Sequence, residues 1–242
     1  MGKTAVITGV SKGLGKALSQ KFQSEGFKII GISRNLPEFP LYRFIQADLT
    51  DINRLLEIKE ELKEERIDLL INNAGIGIYE SWEDMSIEDL KKVFELNFFS
   101  VVYLTKLLLP KLRESRGSII NVSSVAGKLY VPYMGGYCAS KYALNAFSDS
   151  LRAELRKDEI HILNLIVGRI NTGFSIRALG SKKPPETPFG SSPEKFAEAV
   201  FKAYKKKKRE IVFPGWYRYF ILISKLFPSL YDRISYEKWN QS

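Results

Sequence analysis

The chain has 242 residues, 45% of them hydrophobic and 26% charged, which excludes intrinsic disorder, collagen-like repetition and a disulfide scaffold and is enough for a buried core. One cysteine, Cys138, rules out an intramolecular disulfide, so a reducing, cytoplasmic setting is expected. The opening carries no apolar leader and no apolar run approaches the ~18–20 residues that cross a bilayer, so neither a signal peptide nor a membrane span is expected.

In chain order, residues 5–8, 28–32, 43–45, 68–71, 118–122 and 161–166 read as short apolar strands, most of them bounded by Gly, Asn or Asp. Between the first two, Leu14, Ala17, Leu18 and Phe22 recur at helical spacing, and Gly26 follows as a stop. Ser86 with Asp89, and Ser192 with Pro193, mark two later helix starts. Continuous apolar strands separated by amphipathic helices predict an α/β, doubly wound parallel sheet of the Rossmann type, with residues 1–242 forming a single domain. Residues 172–192, broken by Gly173, Gly180, Pro184, Pro185, Pro188 and Gly190, read as a mobile substrate loop.

The net charge of +10 is concentrated at the end of the chain. Residues 201–242 hold ten Lys or Arg against Glu210, Asp232 and Glu237, together with eleven of the 30 aromatic residues. A basic, aromatic C-terminal tail over residues 214–242 suits an acidic partner, and peripheral contact with a membrane surface is one expectation. No familiar nucleic-acid recognition motif accompanies the charge, so nucleic acid is not expected as a partner. Lys205 to Arg209 reads as the solvated end of the helix begun at Pro193.

The chemistry begins after the first strand, where Thr8-Gly9-Val10-Ser11-Lys12-Gly13-Leu14-Gly15 runs into the first helix. Glycines between a strand and a helix let the backbone turn tightly and bring a phosphate to the amide groups at the positive helix end, which in this context favours dinucleotide binding over an ordinary turn. Tyr137 and Lys141 are four residues apart and share one helix face, so an ammonium can lie near a phenol and lower its pKa toward useful acid–base range. His161 is the sole histidine and reads as the start of a strand. That argues against a histidine triad, and no metal site is expected. Cys138 has no activating partner in the sequence and reads as packing.

The TGxxxGxG spacing, Asn72-Asn73-Ala74-Gly75 after the fourth strand, Asn97 in a helix, Ser123-Ser124 after the fifth strand and Tyr137-Cys138-Ala139-Ser140-Lys141 together resemble the short-chain dehydrogenase/reductase family, in order over residues 3 to about 172. The resemblance implies catalytic roles for Asn97, Ser124, Tyr137 and Lys141. Ser124 would orient the substrate oxygen, Tyr137 would act as general acid or base, Lys141 would hold the nicotinamide ribose, and Asn97 would hold a water in a proton relay. It implies cofactor contacts from Gly9, Ser11, Lys12, Gly13, Leu14, Gly15, Ser33, Arg34, Asp48, Leu49, Asn73, Ala74, Gly75, Ile170 and Thr172 as well as Tyr137 and Lys141. It also implies a homodimer or homotetramer paired through residues 97–113 and 136–157. The family commonly has Pro-Gly after the sixth strand, where this chain has Val167-Gly168, so the loop geometry near the nicotinamide is in doubt.

Charge addresses the choice of cofactor. Ser33-Arg34 ends the second strand with no acid before Glu38, and Lys12 is a second cation in the glycine loop, so NADP(H) is favoured over NAD(H). The expected activity is interconversion of a carbonyl and an alcohol, on an apolar ketone or aldehyde suggested by Tyr217, Tyr219, Phe220, Ile221, Leu222, Leu226 and Phe227. A non-catalytic dinucleotide-binding or sensing protein is the alternative, disfavoured by the complete catalytic set.

Overall fold

A computed structural model describes residues 2–185 and 190–240. Seven strands form one parallel sheet: β1 (Thr4–Thr8), β2 (Lys28–Ser33), β3 (Arg43–Gln46), β4 (Leu69–Asn72), β5 (Ser118–Ser124), β6 (His161–Val167) and β7 (Glu210–Phe213), in the order β3-β2-β1-β4-β5-β6-β7. Strand alternation feeds two cores. Ala5, Ile7, Leu69, Ile71, Leu163 and Leu165 pack on one face with α1 (Gly13–Ser24) and α6 (Pro193–Lys205), through Leu18, Phe22, Phe196 and Val200. Val6, Leu70, Ile119 and Ile162 pack on the other with α2 (Ile52–Glu61), α4 (Ser100–Ser115) and α5 (Gly135–Glu154), through Leu55, Leu104, Leu108 and Leu151. Burial on both faces is why these strands read as unbroken apolar runs.

The two helix starts read from the sequence are side-chain caps. Ser86 accepts from Asp89 N at 3.1 Å ahead of α3 (Ile87–Phe94), and Ser192 accepts from Lys195 N at 3.3 Å ahead of α6. Gly26, at φ +87°, follows the end of α1.

Three expectations are corrected. First, α3, a π turn (Glu95–Phe99) and α4 join into one helical run, Ile87–Ser115, whose 29 residues include an 18-residue window of mean hydropathy 1.4, long and apolar enough to cross a membrane. Its inner residues Leu104, Leu108 and Leu112 are buried in the core against the sheet. Second, the described part of residues 172–192, where glycines and prolines led to no regular element being expected, has short local structure. It holds a 3-10 turn (Ser175–Arg177), and Leu179 bridges Ile78, with Tyr79 N donating to Leu179 O and Leu179 N to Gly77 O, both at 2.9 Å. Residues 186–189 of that stretch lie outside the described residues.

Third, the charge at the end of the chain divides, the run Lys205–Arg209 lying apart from the aromatic helices, which keep Arg218, Lys225, Arg233 and Lys238. The run Lys205–Arg209 precedes β7 at the amino edge of the sheet, where Lys208 O meets His161 Nε2 at 2.8 Å. The aromatic residues lie beyond the opposite, carboxyl edge, in α7 (Tyr217–Leu226) and α8 (Pro228–Asn240). Strand β7 separates the two. Only four residues long, it gives no recognisable period in the sequence, and it is held by its register with β6, Asn164 opposite Glu210 through Val167 opposite Phe213.

Candidate active site

The chain reverses its direction of sheet growth between β1 and β4, and a cleft of about 1150 Å³ opens there beyond the carboxyl ends of the strands. Every site residue singled out from the sequence lines it except Gly15 and Asn97. These two act from behind the wall.

The glycine loop is built by close approach. Gly9 takes φ +71° and Gly13 φ +59°, and a Cβ on Gly15 would lie 2.0 Å from the Gly9 carbonyl oxygen, so the loop requires glycine there. Asn73 braces the same turn, its Nδ2 donating to Thr8 O at 2.8 Å and its backbone N–H to Thr8 Oγ1 at 2.9 Å. The residue preceding α1, Lys12, makes no side-chain cap, so the first-turn amides have no capping oxygen and face the cleft. Amides, glycine backbone and the absence of a side chain at Gly9 fit a pyrophosphate.

At the end of β2, Arg34 stands exposed beside Asp48, with 3.8 Å between Nη1 and Oδ2. Asp48 is the one acidic residue lining the cleft among the described residues, and its other oxygen is engaged by Thr50 N at 3.0 Å and Thr50 Oγ1 at 2.8 Å. Asp48 was singled out from the sequence, but its nearness to Arg34 was not, because it belongs to the loop after β3 and only the β2–β3 pairing carries it there.

Tyr137 and Lys141 rise on α5 and are 7% and 4% exposed. The Lys141 ammonium donates to Val122 O at 3.0 Å and sits 5.8 Å from the centre of the Tyr137 ring. Burial holds it down to about 8, so near pH 7 it is still charged. The Tyr137 phenol is pushed up, by burial first, with the Ser124 hydroxyl pulling the other way. The expected lowering by the lysine is not found, because the ammonium is anchored to the end of β5 and is itself stripped of water. Ser124 donates to Val167 O at 3.2 Å and accepts from Ala126 N at 3.1 Å. Ser123 backs the site from β5, its hydroxyl meeting Lys141 O at 3.4 Å.

Asn97 lies in the π turn, where Ser100 N–H reaches back five residues to Glu95 O. Its amide is wholly engaged, with Oδ1 accepting from Ile76 N at 2.8 Å and Nδ2 donating to Ile76 O at 2.9 Å and Ser140 Oγ at 3.1 Å. Ser140 in turn donates to Tyr137 O at 2.8 Å. Through these bonds the residue locks the strand β4 loop to the helix turn that carries the tyrosine. Cys138 is buried with its thiol pushed up to about 11, which agrees with a packing role.

The missing proline has a structural replacement. Val167 pairs with both Ser124 and Phe213, Gly168 N donates to Phe213 O at 2.7 Å, and Arg169 N donates to the Tyr217 hydroxyl at 3.3 Å. The Tyr217 ring lies flat against Gly168, where a Cβ would come within 2.0 Å of it. Contacts from β7 and α7 therefore set the loop that a fixed φ would otherwise set. Tyr217, Tyr79 and Phe174 all line the cleft, and of the three the sequence reading had named only Tyr217, within the aromatic tail. For Tyr217 the aromatic tail was the only available signal, and Phe174 and Tyr79 carried none.

This fold and site define a Rossmann-type oxidoreductase. The model of the short chain dehydrogenase family matches residues 3–180, and the chain belongs to that family. Dehydrogenase/reductase SDR family member 7B of Rattus norvegicus is 32% identical over 256 aligned residues, covering 95% of this chain and 79% of that protein. The 3-ketodihydrosphingosine reductase of Bacteroides thetaiotaomicron is 37% identical over 174 residues, covering 70% of this chain and 65% of its own. Among solved structures, a short chain dehydrogenase from Burkholderia cenocepacia in complex with NADP superposes with a TM-score of 0.84 at 23% identity, over 96% of this chain and 97% of that one. One from Burkholderia phymatum in complex with NAD superposes with a TM-score of 0.82 at 23% identity, over 95% of each. At that identity both show the fold.

Proposed function

We propose that the protein is an NADP(H)-dependent reductase or dehydrogenase of an apolar ketone or aldehyde. The observation that carries this reading is the convergence of Ser124, Tyr137 and Lys141 at one end of a cleft whose other end holds the glycine loop and Arg34. The bound nicotinamide supplies hydride in the reducing direction. Ser124 positions the carbonyl oxygen, and the buried, protonated Tyr137 gives it a proton. Lys141 keeps a positive charge beneath the phenol, and Asn97 serves as a positioning residue. The cation set supports the phosphorylated cofactor, since Lys12 and Arg34 both line the adenosine end. Titration by fluorescence should show NADPH binding at least about tenfold more tightly than NADH, an advantage that Arg34→Ala removes without weakening NADH, as expected for a charge-assisted phosphate contact. Equal binding of the two cofactors by the wild type overturns the assignment.

The substrate end supports the apolar class. Phe174, Tyr217, Phe220, Ile223, Leu230 and Ile234 wall it, five of them from the two C-terminal helices. The name of the Bacteroides relative, a keto-lipid reductase, points the same way. On the outside of α7, Tyr219, Leu222 and Leu226 are 70%, 55% and 61% exposed while Ser224 is buried, the reverse of the pattern expected of a helix facing water. With Arg218 and Lys225 alongside, this stripe suits the surface of an anionic bilayer. The full chain should sediment with phosphatidylglycerol-containing vesicles, and replacing all three apolar residues by serine should release it. Equal sedimentation of the variant removes the membrane contact from the proposal.

A further inference from the structure

The short turn after β6 touches both ends of the cleft. Phe174 packs on the catalytic tyrosine, with ring centres 5.8 Å apart, and Ser175 bonds the Tyr79 phenol, also at the substrate end. Thr172, just ahead of them, lies against the glycine loop, within 3.2 Å of where a Gly13 Cβ would stand. Arg177 ends the same turn, tethered by Nε to Gly173 O at 3.4 Å, and lines the cleft as Arg34 does. Arg177 lies close enough to Arg34 for the like charges to disfavour one another, and it is held below the usual guanidinium range by burial first and by Arg34 second. Among the described residues Arg177 has no carboxylate partner, and Arg34 has only Asp48, 3.8 Å away. The tether to Gly173 O, one residue from the Thr172 that lies against Gly13, sets the Arg177 guanidinium toward the glycine loop, and like charges lining one cleft are relieved by an anion whose oxygens accept from both.

We propose that Arg177 is a further ligand of the cofactor's ribose 2′-phosphate beside Arg34 and Lys12, and that through it the turn 174–177 couples the identity of the cofactor to the seating of Phe174 on Tyr137. The proposal rests on the NADP(H) reading and adds to it a specificity residue from the substrate side of the cleft. A cofactor lacking the phosphate leaves the two cations facing each other and the turn unlatched. The phosphorylated cofactor draws Arg177 inward and holds the aromatic wall in place before substrate arrives.

The test uses the full chain and two small probes, 2′,5′-ADP, which carries the phosphate, and 5′-AMP, which does not. By calorimetry the wild type should bind 2′,5′-ADP at least about tenfold more tightly than 5′-AMP, and Arg177→Gln should lose about tenfold for the first and less than twofold for the second, the cost of one charge-assisted contact. Saturating 2′,5′-ADP should also slow tryptic cleavage after Lys182, in the adjoining segment, in the wild type but not in Arg177→Gln. If Arg34→Gln loses the preference while Arg177→Gln keeps it, this inference falls and the NADP(H) reading stands. If the wild type binds both probes equally, the NADP(H) reading falls and takes the inference with it. An equal loss for both probes in Arg177→Gln also overturns the proposal, because the arginine then answers to something other than the 2′-phosphate.

Discussion

Tyr137→Phe is expected to lower carbonyl reduction by about 10³-fold or more, the scale of a lost general acid, with the thermal midpoint and the NADPH affinity little changed. The ring stays: it is 7% exposed and packs on Phe174, and phenylalanine fills the same space. Only the hydroxyl facing Ser124 is removed. Steady-state kinetics on whichever apolar ketone or aldehyde the wild type turns over, with a melting curve as control, read the result. More than a tenth of wild-type activity in the variant would reassign the proton donor. The pH profile gives a second reading of the same group. Burial keeps the phenol protonated through the neutral range, so it can donate there, while Lys141 loses its charge as pH rises through about 8. Reduction should therefore fall above about pH 8, and a profile that stays flat to pH 10 would remove Lys141 from the proton path.

Lys141→Met is expected to abolish turnover and, in the cofactor-free protein, to raise stability. The ammonium is 4% exposed and its pKa stands near 8 instead of 10.5, which at about 1.4 kcal/mol per pKa unit corresponds to a folding cost on the order of 3 kcal/mol when charged. A methionine of similar length forfeits the bond to Val122 O and keeps most of that gain, so about 2 kcal/mol and a rise of about 5 °C in melting temperature are expected. The sign with pH follows from the depressed value. Below about 8 both folded and unfolded chains hold the proton and the cost is present in full. Between about 8 and 10.5 the unfolded chain alone holds it, so the wild type gains stability as pH rises and the advantage of the variant shrinks. Melting curves at pH 7 and pH 10 measure both effects. A variant less stable than the wild type at pH 7 would mean that the Val122 bond outweighs burial of the charge. Stability given up at a working residue is a common pattern in enzymes.

The glycine loop and the pairing of Tyr137 with Lys141 were legible in the sequence because each depends on local spacing, a strand–turn–helix or two residues one helical turn apart, while Ser124 and the Asn73–Gly75 segment were legible only through the family resemblance. The doubly wound sheet was legible for a similar reason, since strands buried on both faces must be apolar throughout. Other features depend on residues far apart in the chain. Asp48 reaches Arg34 through sheet register, Tyr217 replaces the missing proline by packing on Gly168, and the charge run and the aromatic helices separate to opposite edges because β7 runs between them. The Asn97 motif was visible, but only the π turn shows that its amide is spent on Ile76 and Ser140.

The sequence by itself determined the sheet, the glycine loop and the helix that pairs Tyr137 with Lys141, because hydrophobic period, glycine conformation and helical spacing are properties of neighbouring residues. The tertiary structure alone decided how those groups are charged and what walls them in. Burial, which raises the phenol of Tyr137 and lowers the ammonium of Lys141, is created only when distant segments close over one another and exclude water.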